Sequence, residues 1–353
     1  MSRSLINDNS VPLVETAAPL QHRNTLAVPA VAEHLARVQS VGELRAALQW
    51  WQLHGGEAPV MALGGGSNLV LAGNVGGLVL QIEIPGREVL REDEEHVWLK
   101  VGAGENWHDL VEYCVNCQYW GLENLALIPG SVGAAPIQNI GAYGVELCDV
   151  FSELTALEVS SGKQVMFGRE ACEFGYRDSV FKRALRDQFI ITSVTFRLNK
   201  KPATKAAYPA LKAYFAEHKV DRPTSQQVFE AVVAVRRSKL PDPGDIPNAG
   251  SFFKNPLVSL EQFNQLQRRY PDLVGYPAEA NRVKLAAGWL IDRAGWRGYR
   301  HGPVGVHNHQ ALVIINPGCG TGDEVLALAR SIQADVQKKY GVVLEIEPRV
   351  YGA

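Results

Sequence analysis

The most informative part of this chain is the segment Leu127-Ile-Pro-Gly-Ser-Val-Gly-Ala-Ala-Pro-Ile-Gln-Asn-Ile-Gly-Ala-Tyr-Gly144. It contains too many glycines and prolines for a helix and too few charges for an ordinary solvated loop. Glycine lets a ligand approach the backbone closely, and the side chains of Gln138, Asn139 and Tyr143 can hydrogen-bond to a flat molecule or cover it. Long loops of this kind are usually binding loops. The segment therefore predicts a ligand site, with a buried crossover loop as the structural alternative.

Composition narrows the class of protein. The 353 residues allow two or three domains, and 46% hydrophobic with 20% charged residues is ordinary for a folded protein. A net charge of −2 without a basic stripe argues against nucleic acid or an anionic membrane surface as a partner. No apolar run reaches the roughly 18 residues that a membrane span needs. Residues 1–21 lack a signal-peptide layout and are predicted to be a loose leader of a cytoplasmic protein.

The five cysteines form no even disulfide framework, so we expect reduced thiols. Cys114 and Cys117 form a C-x-x-C pair on one face of a predicted helix at 106–118. A structural zinc site needs two further ligands, and no second cysteine pair exists. We therefore predict no metal site and interpret these cysteines as small apolar residues.

The pattern from about residue 40 mixes helices and strands without a regular alternation, which predicts an α+β fold. Ser40 can cap a helix that ends at Gly55 and Gly56. After the polar stretch 200–205 the helical patterns predominate, and we place a domain boundary near residue 225. Predicted strands cover 59–63, 77–84, 97–101, 153–159, 163–167, 188–198, 311–315 and 342–346, and further predicted helices cover 208–218, 225–238, 260–270, 282–294 and 321–340.

A second glycine-rich turn, Gly64-Gly-Gly-Ser-Asn68, follows a predicted strand. A Rossmann turn leads directly into a helix, whereas here an extended, glycine-rich segment continues to Gly77. No Lys-Ser/Thr pair follows, which excludes a Walker P-loop. The backbone N–H groups of the turn can form an anion-binding nest, with tight turns as the alternative. Together the two glycine-rich segments suit a cofactor with a pyrophosphate and a flat ring.

Three further clusters supply candidate polar groups. Arg177 lies among aromatic residues, a setting in which its planar guanidinium can bind a carboxylate or phosphate. Ser251 and Lys254 flank two phenylalanines. Glu345 and Glu347 are two apart on a predicted strand, hence on one face. Ordinary turns or exposed strand edges remain the alternatives, so the residues by themselves predict an enzyme-like α+β protein with a dinucleotide-type ligand.

Taken together, these segments resemble the UDP-N-acetylenolpyruvoylglucosamine reductase family, the flavoenzymes of cytoplasmic peptidoglycan precursor synthesis. The resemblance extends from about Arg23 to Gly352 and includes the subtype with a tyrosine on a closing loop. No single motif is specific, whereas their order and joint presence are. The matching motifs lie at 64–68, 121–130, 136–144, 174–179, 239–243, 250–256 and 284–292.

The resemblance implies a two-part FAD-binding region of the vanillyl-alcohol-oxidase (PCMH) type, followed by a smaller α+β substrate-binding domain. The corresponding division is a leader at 1–21, FAD-binding subdomains at 22–82 and 83–224, and a substrate-binding domain at 225–353. FAD is expected to be bound noncovalently. Its implied contacts are Gly64, Gly65, Gly66, Ser67, Asn68, Pro129, Gly130, Ser131, Gly133, Ile137, Asn139, Gly141, Ala142 and Tyr143.

The family's reaction has two halves. NADPH first reduces FAD, and the enolpyruvyl UDP-sugar then accepts a hydride from flavin N5 and a proton to give UDP-N-acetylmuramate. The resemblance implies that Arg177 and Glu347 bracket the enolpyruvyl carboxylate and that Ser251 donates the proton. Glu347 must then carry a proton or pair closely with a cation. Implied substrate contacts are Tyr208 on the closing loop, Lys239, Asn255 and Gln310.

The chain departs from the family pattern at two places. Leu26 and Ala27 replace the usual aromatic residue and glycine after Asn-Thr. Pro348 follows Glu347 where valine is common, and because proline fixes the backbone, the choice between Glu347 and Glu345 stays open.

Two other functions remain as alternatives. A related FAD-dependent oxidase or dehydrogenase for a sugar or alcohol often tethers its flavin through a loop histidine or cysteine, and segment 127–144 contains neither. A flavin-less nucleotide-sugar-binding protein would not need Arg177, Ser251 and Glu347. For the reductase we expect the UDP-sugar and NADPH as partners, neither nucleic acid nor a membrane, and a monomer.

Overall fold

The computed structural model describes residues 12–55, 58–278 and 280–352, and these fold into two compact units. The first unit contains Ala32–Gly65, Gly76–Ser238 and the described residues before Pro19. The second contains Pro19–Val31, Gly66–Val75 and the described residues from Lys239 onward. The glycine-rich turn at 64–68 therefore contributes two residues to the first unit and three to the second.

The elements follow in chain order. The helices are α1 (Val41–His54), α2 (Trp107–Asn116), α3 (Pro209–Glu217), α4 (Ser225–Lys239), α5 (Leu260–Arg269), α6 (Ala287–Arg293) and α7 (Gly322–Tyr340). The first strands are β1 (Val14–Pro19), β2 (Val31–Val38), β3 (Val60–Leu63), β4 (Leu69–Leu71), β5 (Val75–Ile82), β6 (Arg87–Glu92), β7 (His96–Gly102), β8 (Gly141–Ala142), β9 (Val145–Glu146), β10 (Phe151–Glu158), β11 (Gln164–Gly168) and β12 (Phe189–Asn199). The remaining strands are β13 (Asn248–Ser251), β14 (Leu257–Ser259), β15 (Gly275–Ala278), β16 (Arg282–Leu285), β17 (Arg300–His301), β18 (Val304–Val306), β19 (Val313–Ile315) and β20 (Arg349–Tyr351).

An antiparallel sheet in the order β11-β10-β12-β7-β6 forms the centre of the first unit. Strand β12 is buried along most of its length because it lies in the middle of this sheet. Helix α2 packs its Trp107 edge-on against Phe196 of β12, with ring centroids 5.9 Å apart. The loop at 127–144 joins this same core through Val132, Ala135 and Ile140.

A second sheet of the first unit has the order β1-β2-β5-β3 and leads the chain into Gly64. Helix α1 covers it; the Ser40 hydroxyl accepts a hydrogen bond from the Glu43 N–H at 3.0 Å, as the sequence predicts. The helix ends at Gly55, while Gly56 lies outside the described residues.

The second unit is built from short strands. Its described sheets have the orders β13-β19-β18-β17 and β14-β16-β15, and β4 pairs in parallel with β20. Helix α7 begins with a capping box between Thr321 and Glu324 and ends at Gly341, whose φ of 66° suits glycine. A Cβ at Gly322 would lie 1.9 Å from the Leu71 carbonyl oxygen, so glycine lets this helix start against β4.

The structure corrects several sequence-based boundaries. Of the predicted loose leader at 1–21, residues 1–11 lie outside the described residues, but β1 is an ordered edge strand. Its side chains are mostly exposed, so it lacks the alternation that would have revealed it. Helix α4, assigned to the substrate-binding domain by the boundary near 225, belongs to the first unit because Val228 and Val232 enter that core. The predicted helix at 282–294 is instead β16 followed by α6.

The predicted strand at 342–346 is also wrong. In its place the chain runs irregularly, with an isolated bridge between Phe253 and Ile346, before β20 begins.

Candidate functional site

The loop at 127–144 is ordered by a 3₁₀ helix, Val132–Gln138, and by the short ribbon of β8 and β9. Its backbone has positive φ at non-glycine residues Leu127 (55°), Asn139 (46°) and Tyr143 (49°). Such conformations each cost on the order of 1–3 kcal/mol and cluster at functional sites. The loop is therefore held in an unfavourable backbone conformation that the surrounding structure must enforce.

Gly64 and Gly65 allow the glycine-rich turn at 64–68 to lie against this loop. A Cβ on Gly64 would lie 2.3 Å from the Ser131 hydroxyl oxygen, and one on Gly65 would lie 2.9 Å from Gly130 Cα. Both distances are shorter than real Cβ contacts. The first unit thus brings together Gly64, Gly65, Gly130 and Ser131, four of the residues predicted to contact the cofactor.

Gly133 needs glycine for another reason, because a Cβ there would lie 2.6 Å from the Ala103 side chain. Its N–H donates to the Ala103 carbonyl at 2.9 Å. Gly133 therefore lets the 3₁₀ helix pack against Ala103, the residue directly after β7. Pro129, exposed, precedes Gly130 on the same loop.

Three hydrogen bonds tie alternate residues of this loop to segment 175–179. The Ser179 hydroxyl donates to the Ile137 carbonyl at 2.7 Å, and the Arg177 guanidinium donates to the Gly141 carbonyl at 2.7 Å. Between them the Asn139 amide donates to the carbonyl of Gly175 at 3.1 Å. The loop and segment 175–179 consequently form one rigid assembly, which we call the loop–turn lock.

The polar atoms of the fully buried Asn139 side chain have hydrogen-bond partners within the protein. Its amide also donates to the Glu146 carboxylate at 2.8 Å, and its oxygen accepts the Cys148 N–H at 3.0 Å. Asn139 stays a predicted FAD contact, but its side chain serves to shape the loop. Ala142 follows Gly141 in β8, so its position is fixed by the same ribbon.

Arg177 occupies a β-turn whose ends, Gly175 and Asp178, exchange backbone hydrogen bonds of 3.0 and 3.2 Å. Arg177 is the third residue of this turn and has φ 53°. Type II turns require positive φ at that position and usually have glycine there. The backbone at Arg177 is therefore strained, and in this conformation its guanidinium reaches the Gly141 carbonyl.

Tyr208 lies beside Tyr143 in the first unit. The two rings meet edge to face with centroids 5.2 Å apart, and Tyr208 immediately precedes α3. The buried Asn124 amide donates to the carbonyls of both Tyr143 (3.0 Å) and Lys205 (2.8 Å). The segment that carries the predicted substrate contact Tyr208 is thereby held against the loop at 127–144.

Two residues that sequence reasoning missed lie in the same region. Arg236 of α4 has its Nε buried with no hydrogen-bond partner in the described structure, and it interacts electrostatically with Tyr143 and Arg177. His108 of α2 accepts the Leu127 N–H at its Nδ1, 3.2 Å away. Burial lowers the pKa of His108. Arginines are common near the ends of amphipathic helices, so the sequence alone does not distinguish Arg236 from its neighbours.

In the second unit the remainder of the glycine-rich turn is held by two neighbouring segments. The Gly66 carbonyl accepts the Thr25 N–H at 3.1 Å, and a Cβ on Gly66 would lie 2.1 Å from the Arg23 carbonyl oxygen. The Asn68 carbonyl accepts the Arg349 N–H at 3.1 Å, at the start of the pairing of β4 with β20. Ser67, predicted to contact the cofactor, lies between these two anchored residues.

Ser251 and Glu347 lie on neighbouring backbone segments of the second unit. Ser251 ends β13, where it is exposed and pairs with Val313. The next residue, Phe252, accepts the Glu347 N–H at 3.0 Å through its carbonyl. The two predicted catalytic residues of this unit are thus fixed in register with each other.

The two acidic residues have different surroundings in the structure. Glu345 has a side chain that is 70% exposed and forms an ion pair with Lys254 at 2.5 Å. The carbonyl of Glu345 also accepts the Lys254 N–H. Pro348 is buried between Glu347 and Arg349, and both of these flanking residues donate their own N–H groups to carbonyls. The missing N–H of Pro348 therefore does not disturb the pairing that positions Glu347.

Two of the other predicted substrate contacts, Asn255 and Gln310, lie at the start of α6. The Asn255 side-chain oxygen accepts the Ala287 N–H at 2.9 Å. A Cβ on Gly288 would lie 3.3 Å from the Gln310 side-chain oxygen. Lys239 ends α4, begins the last segment of the second unit and is exposed.

Two features are absent from residues 12–55, 58–278 and 280–352. These contain no group of three or more His, Cys, Asp or Glu side chains placed to hold a metal ion. No helix in these ranges is long and apolar enough to cross a bilayer. All five cysteines are free thiols, and burial raises the pKa of Cys114.

Two family models match the chain. One, an FAD binding domain, matches residues 32–168, and the other, the C-terminal domain of UDP-N-acetylenolpyruvoylglucosamine reductase, matches residues 242–351. The chain is 51% identical over 332 residues to the UDP-N-acetylenolpyruvoylglucosamine reductase of Paraburkholderia xenovorans, which covers 94% of this chain and 95% of that one. It is 46% identical to the enzyme of the same name from Amoebophilus asiaticus, covering 94% and 97%.

Solved structures agree. The UDP-N-acetylenolpyruvylglucosamine reductase of Thermus caldophilus superposes with a TM-score of 0.64 at 27% identity, covering 96% of this chain and 99% of that one. A solvent-stable cholesterol oxidase superposes with a TM-score of 0.50 at 11% identity, covering 97% and 88%, and shows likeness of fold alone. These matches confirm the predicted α+β fold with a vanillyl-alcohol-oxidase-type FAD-binding region and a second, C-terminal domain.

Proposed function

Because the chain belongs to the UDP-N-acetylenolpyruvoylglucosamine reductase family, we propose a role in that family's reaction for each candidate residue. The protein is an FAD-dependent oxidoreductase of peptidoglycan precursor synthesis, a UDP-N-acetylmuramate dehydrogenase that uses NADPH. When bound, FAD accepts a hydride from NADPH and delivers it to the vinyl carbon of the enolpyruvyl UDP-sugar. The residues of this chain must bind that cofactor, hold the substrate and supply one proton.

The first unit fits a noncovalent FAD. Gly64 and Gly65 lack the side chains that would separate the turn from Gly130 and Ser131, so the two segments proposed to bind the cofactor lie directly against each other. The loop at 127–144 contains neither histidine nor cysteine, the residues that tether flavin in many relatives of this fold. We propose that these residues, with Gly66, Ser67, Asn68 and the rest of the loop, hold the cofactor.

Arg177 is proposed to bind the enolpyruvyl carboxylate, where negative charge develops as the hydride adds. The loop–turn lock carries this proposal, because it fixes the guanidinium to the loop expected to hold the flavin. A guanidinium has five N–H donors, so its bond to Gly141 is compatible with a bidentate grip on a carboxylate. Preorganised donors of this kind stabilise developing charge without reorganising during the reaction.

Ser251 is proposed to donate the proton that completes the reduction, and Glu347 to assist at the carboxylate end of the substrate. A serine hydroxyl is a weak acid, so a neighbouring cation must make it more acidic as charge develops on the substrate. Tyr208, Lys239, Asn255 and Gln310 are proposed to bind the UDP-sugar. Lys239 suits its pyrophosphate by charge alone.

The two half-reactions test these assignments separately. In Ser251→Ala we expect FAD reduction by NADPH at the wild-type rate and a loss of about 10²–10³ in the rate of flavin reoxidation by the enolpyruvyl substrate. Stopped-flow absorbance at the flavin band measures both steps. Ser331→Ala, which removes an exposed hydroxyl bonded to its own helix, is the matched control. Wild-type rates in both half-reactions of Ser251→Ala would remove Ser251 from the mechanism.

We also propose that the enzyme acts as a monomer in the cytoplasm. The free state of all five cysteines supports a reducing compartment. Size-exclusion chromatography with light scattering tests the monomer, and a mass near twice 38.6 kDa would contradict it.

A further inference from the structure

Asn124 is a buried residue whose amide joins two backbone segments that carry proposed binding residues. It is 3% exposed, and its Nδ2 donates to the Tyr143 carbonyl at 3.0 Å and to the Lys205 carbonyl at 2.8 Å. Tyr143 belongs to the loop that we assign to FAD. Lys205 belongs to residues 200–208, which we call the Tyr208 segment because it ends at that proposed substrate contact. One side chain therefore connects the cofactor loop to the Tyr208 segment.

The backbone that carries Asn124 is itself held in place. Asn124 is the middle residue of a 3₁₀ turn, and both neighbours form hydrogen bonds outside it. The Glu123 carboxylate accepts the Gly121 N–H at 2.6 Å, and the Leu125 carbonyl accepts the indole N–H of Trp107 at 2.9 Å. A primary amide has two N–H donors, and Asn124 uses both on backbone carbonyls. It therefore acts on a ligand only through the two segments that it joins.

The Tyr208 segment depends on this buried amide more than on its other contacts. Residues 201–205 are exposed, and Ala206 packs partly against the core. The Lys205 ammonium forms an ion pair with Asp149 at 2.9 Å, but both side chains are largely accessible to solvent, and such pairs contribute little. Because Lys205 lies three residues before Tyr208, the position of its carbonyl limits where the phenol can lie.

We propose that Asn124 is a positioning residue for the reductase reaction, because it fixes the phenol of Tyr208 where the UDP-sugar binds. The inference rests on the proposed assignment of Tyr208 to that substrate. We assign Tyr208 to the nucleotide-sugar part of the substrate, away from the vinyl carbon that accepts the hydride. An interaction that is equally strong in the ground state and the transition state changes KM and leaves kcat unchanged. Asn124 should therefore affect substrate affinity and not the chemical step.

The experiment compares Asn124→Ser, Tyr208→Phe and the variant with both changes, each with excess FAD. Serine is too short to reach both carbonyls, and phenylalanine removes only the phenol oxygen. The first measurement is the Kd of UDP-N-acetylmuramate from the flavin difference spectrum. The second is the dependence of flavin reoxidation on the concentration of the enolpyruvyl substrate, measured by stopped flow. Lys201→Met, which removes an exposed charge from the same segment, is the control.

A hydrogen bond to a charged group corresponds to roughly tenfold in affinity, so we expect Tyr208→Phe to bind the product about tenfold more weakly. Asn124→Ser should weaken product binding about as much, and its limiting rate of reoxidation at saturating substrate should stay within about twofold of wild type. In the double variant the loss should match that of Tyr208→Phe alone, because the two residues act through one contact. Lys201→Met should match the wild type.

Limited digestion with trypsin reports on the Tyr208 segment directly, because cleavage after Lys205 requires that residue to leave the Asn124 amide. We expect Asn124→Ser to be cut there severalfold faster than the wild type. Asn316→Ser is the matched control, since it removes a buried amide that donates in the same way to two backbone carbonyls of the second unit. That variant should be cut after Lys205 at the wild-type rate.

A second variant covers the case in which Asn124→Ser does not retain FAD. One glycine inserted between Ala206 and Ala207 keeps the amide and its two acceptors but moves Tyr208 relative to them. An exposed segment tolerates such an insertion, so the protein should fold and bind FAD. The inserted glycine should weaken product binding about as much as Tyr208→Phe does.

Three results overturn the proposal. Wild-type product affinity in Asn124→Ser or in the insertion variant would show that Tyr208 does not depend on the amide. Unchanged cleavage after Lys205 in Asn124→Ser would show that the amide does not hold the Tyr208 segment. Losses that multiply in the double variant would show that Asn124 acts independently of Tyr208.

Failure of the proposed function has a different signature. Unchanged product affinity in Tyr208→Phe would remove Tyr208 from the substrate site, and this inference with it. Wild-type reoxidation of Ser251→Ala would contradict the proposed proton donor and leave the role of Asn124 untouched.

Discussion

The Arg177 guanidinium donates to the Gly141 carbonyl oxygen across 2.7 Å, which joins a proposed substrate-binding side chain to a proposed cofactor-binding loop. Ser179 with Ile137, and Asn139 with Gly175, repeat the connection on either side. A displacement of the loop must therefore displace Arg177. In an enzyme that transfers a hydride from cofactor to substrate, this coupling keeps the two binding functions in register.

The first prediction follows from that bond. Lysine carries the charge of Arg177 but not the planar set of donors that can hold Gly141 and a carboxylate together. In Arg177→Lys we expect FAD content and reduction by NADPH to be unchanged, and reoxidation by the enolpyruvyl substrate to slow by about 10²–10³. Single-turnover absorbance measures each half-reaction. Arg186→Lys, on an exposed side chain, is the control; a similar slowing in that variant would contradict a specific role for Arg177.

The second prediction concerns the contact between the glycine-rich turn and the loop. Gly65→Ala would place a Cβ 2.9 Å from Gly130 Cα, a backbone atom that cannot move aside without shifting the loop. We expect the purified variant to lose most of its FAD, with at least a tenfold weaker Kd in reconstitution. Gly168→Ala introduces the same methyl group where no atom lies within 4 Å and should retain FAD fully. Normal FAD content in Gly65→Ala would show that this approach is not needed for binding.

Much of the first unit was predictable because its signals are local. The cap at Ser40, the strands that became β10 to β12 and the unusual composition of 127–144 all follow from nearby residues. The loop–turn lock was not predictable, because its partners are separated by about forty residues and Asn139 reads as an ordinary polar loop residue. Likewise α4 has the pattern of any amphipathic helix, and nothing in that pattern shows which core receives it or that the Nε of Arg236 is buried.

The third prediction separates Glu345 from Glu347. Glu345 forms an ion pair with Lys254 through a largely exposed carboxylate, and such surface pairs contribute about 0–1 kcal/mol. In Glu345→Gln the free energy of unfolding should therefore fall by no more than about 1 kcal/mol. Both half-reactions should run at near wild-type rates. Glu347→Gln should slow reoxidation by about 10²–10³ while leaving FAD reduction intact. The same stopped-flow assay compares them. If Glu345→Gln is the slower variant, the assignment of Glu347 is wrong.

The fourth prediction concerns Ala27, which replaces a glycine in the family pattern. Ala27 has φ 50°, and its N–H donates to the Asn24 carbonyl at 3.0 Å in a tight turn. The left-handed conformation costs a non-glycine residue about 1–2 kcal/mol. Glycine also makes the unfolded chain more flexible, which lowers the free energy of unfolding by a smaller amount, about 0.4–1 kcal/mol. Ala27→Gly should therefore raise the free energy of unfolding by about 0.5–1 kcal/mol.

Urea denaturation of the FAD-loaded protein measures this change. Ala30→Gly is the matched control in the same segment, because Ala30 is not among the residues with positive φ and is nearly fully buried. That variant should be destabilised, since it gains chain entropy without relief of strain. Destabilisation of both variants would indicate that Ala27 is not strained in solution.

The last prediction is a pH dependence at His108. Its Nδ1 accepts the Leu127 N–H, which only the unprotonated nitrogen can do, and burial lowers the pKa of this histidine in the folded protein. The neighbouring carboxylates of Glu112 and Asp109 oppose this shift, and the guanidinium groups of Arg237 and Arg236 add to it. Below the ordinary pKa of 6.5 the unfolded chain therefore binds more protons than the folded one.

The stability that His108 contributes is thus present above pH 6.5 and is lost as the pH falls through the lowered folded pKa. In His108→Gln, whose side chain accepts a hydrogen bond without titrating, the decline of the unfolding midpoint between about pH 6.5 and pH 5 should be shallower than in the wild type. His218→Gln, at an exposed histidine, should retain the wild-type slope. Equal slopes in wild type and His108→Gln would show that the bond to Leu127 does not depend on the protonation of His108.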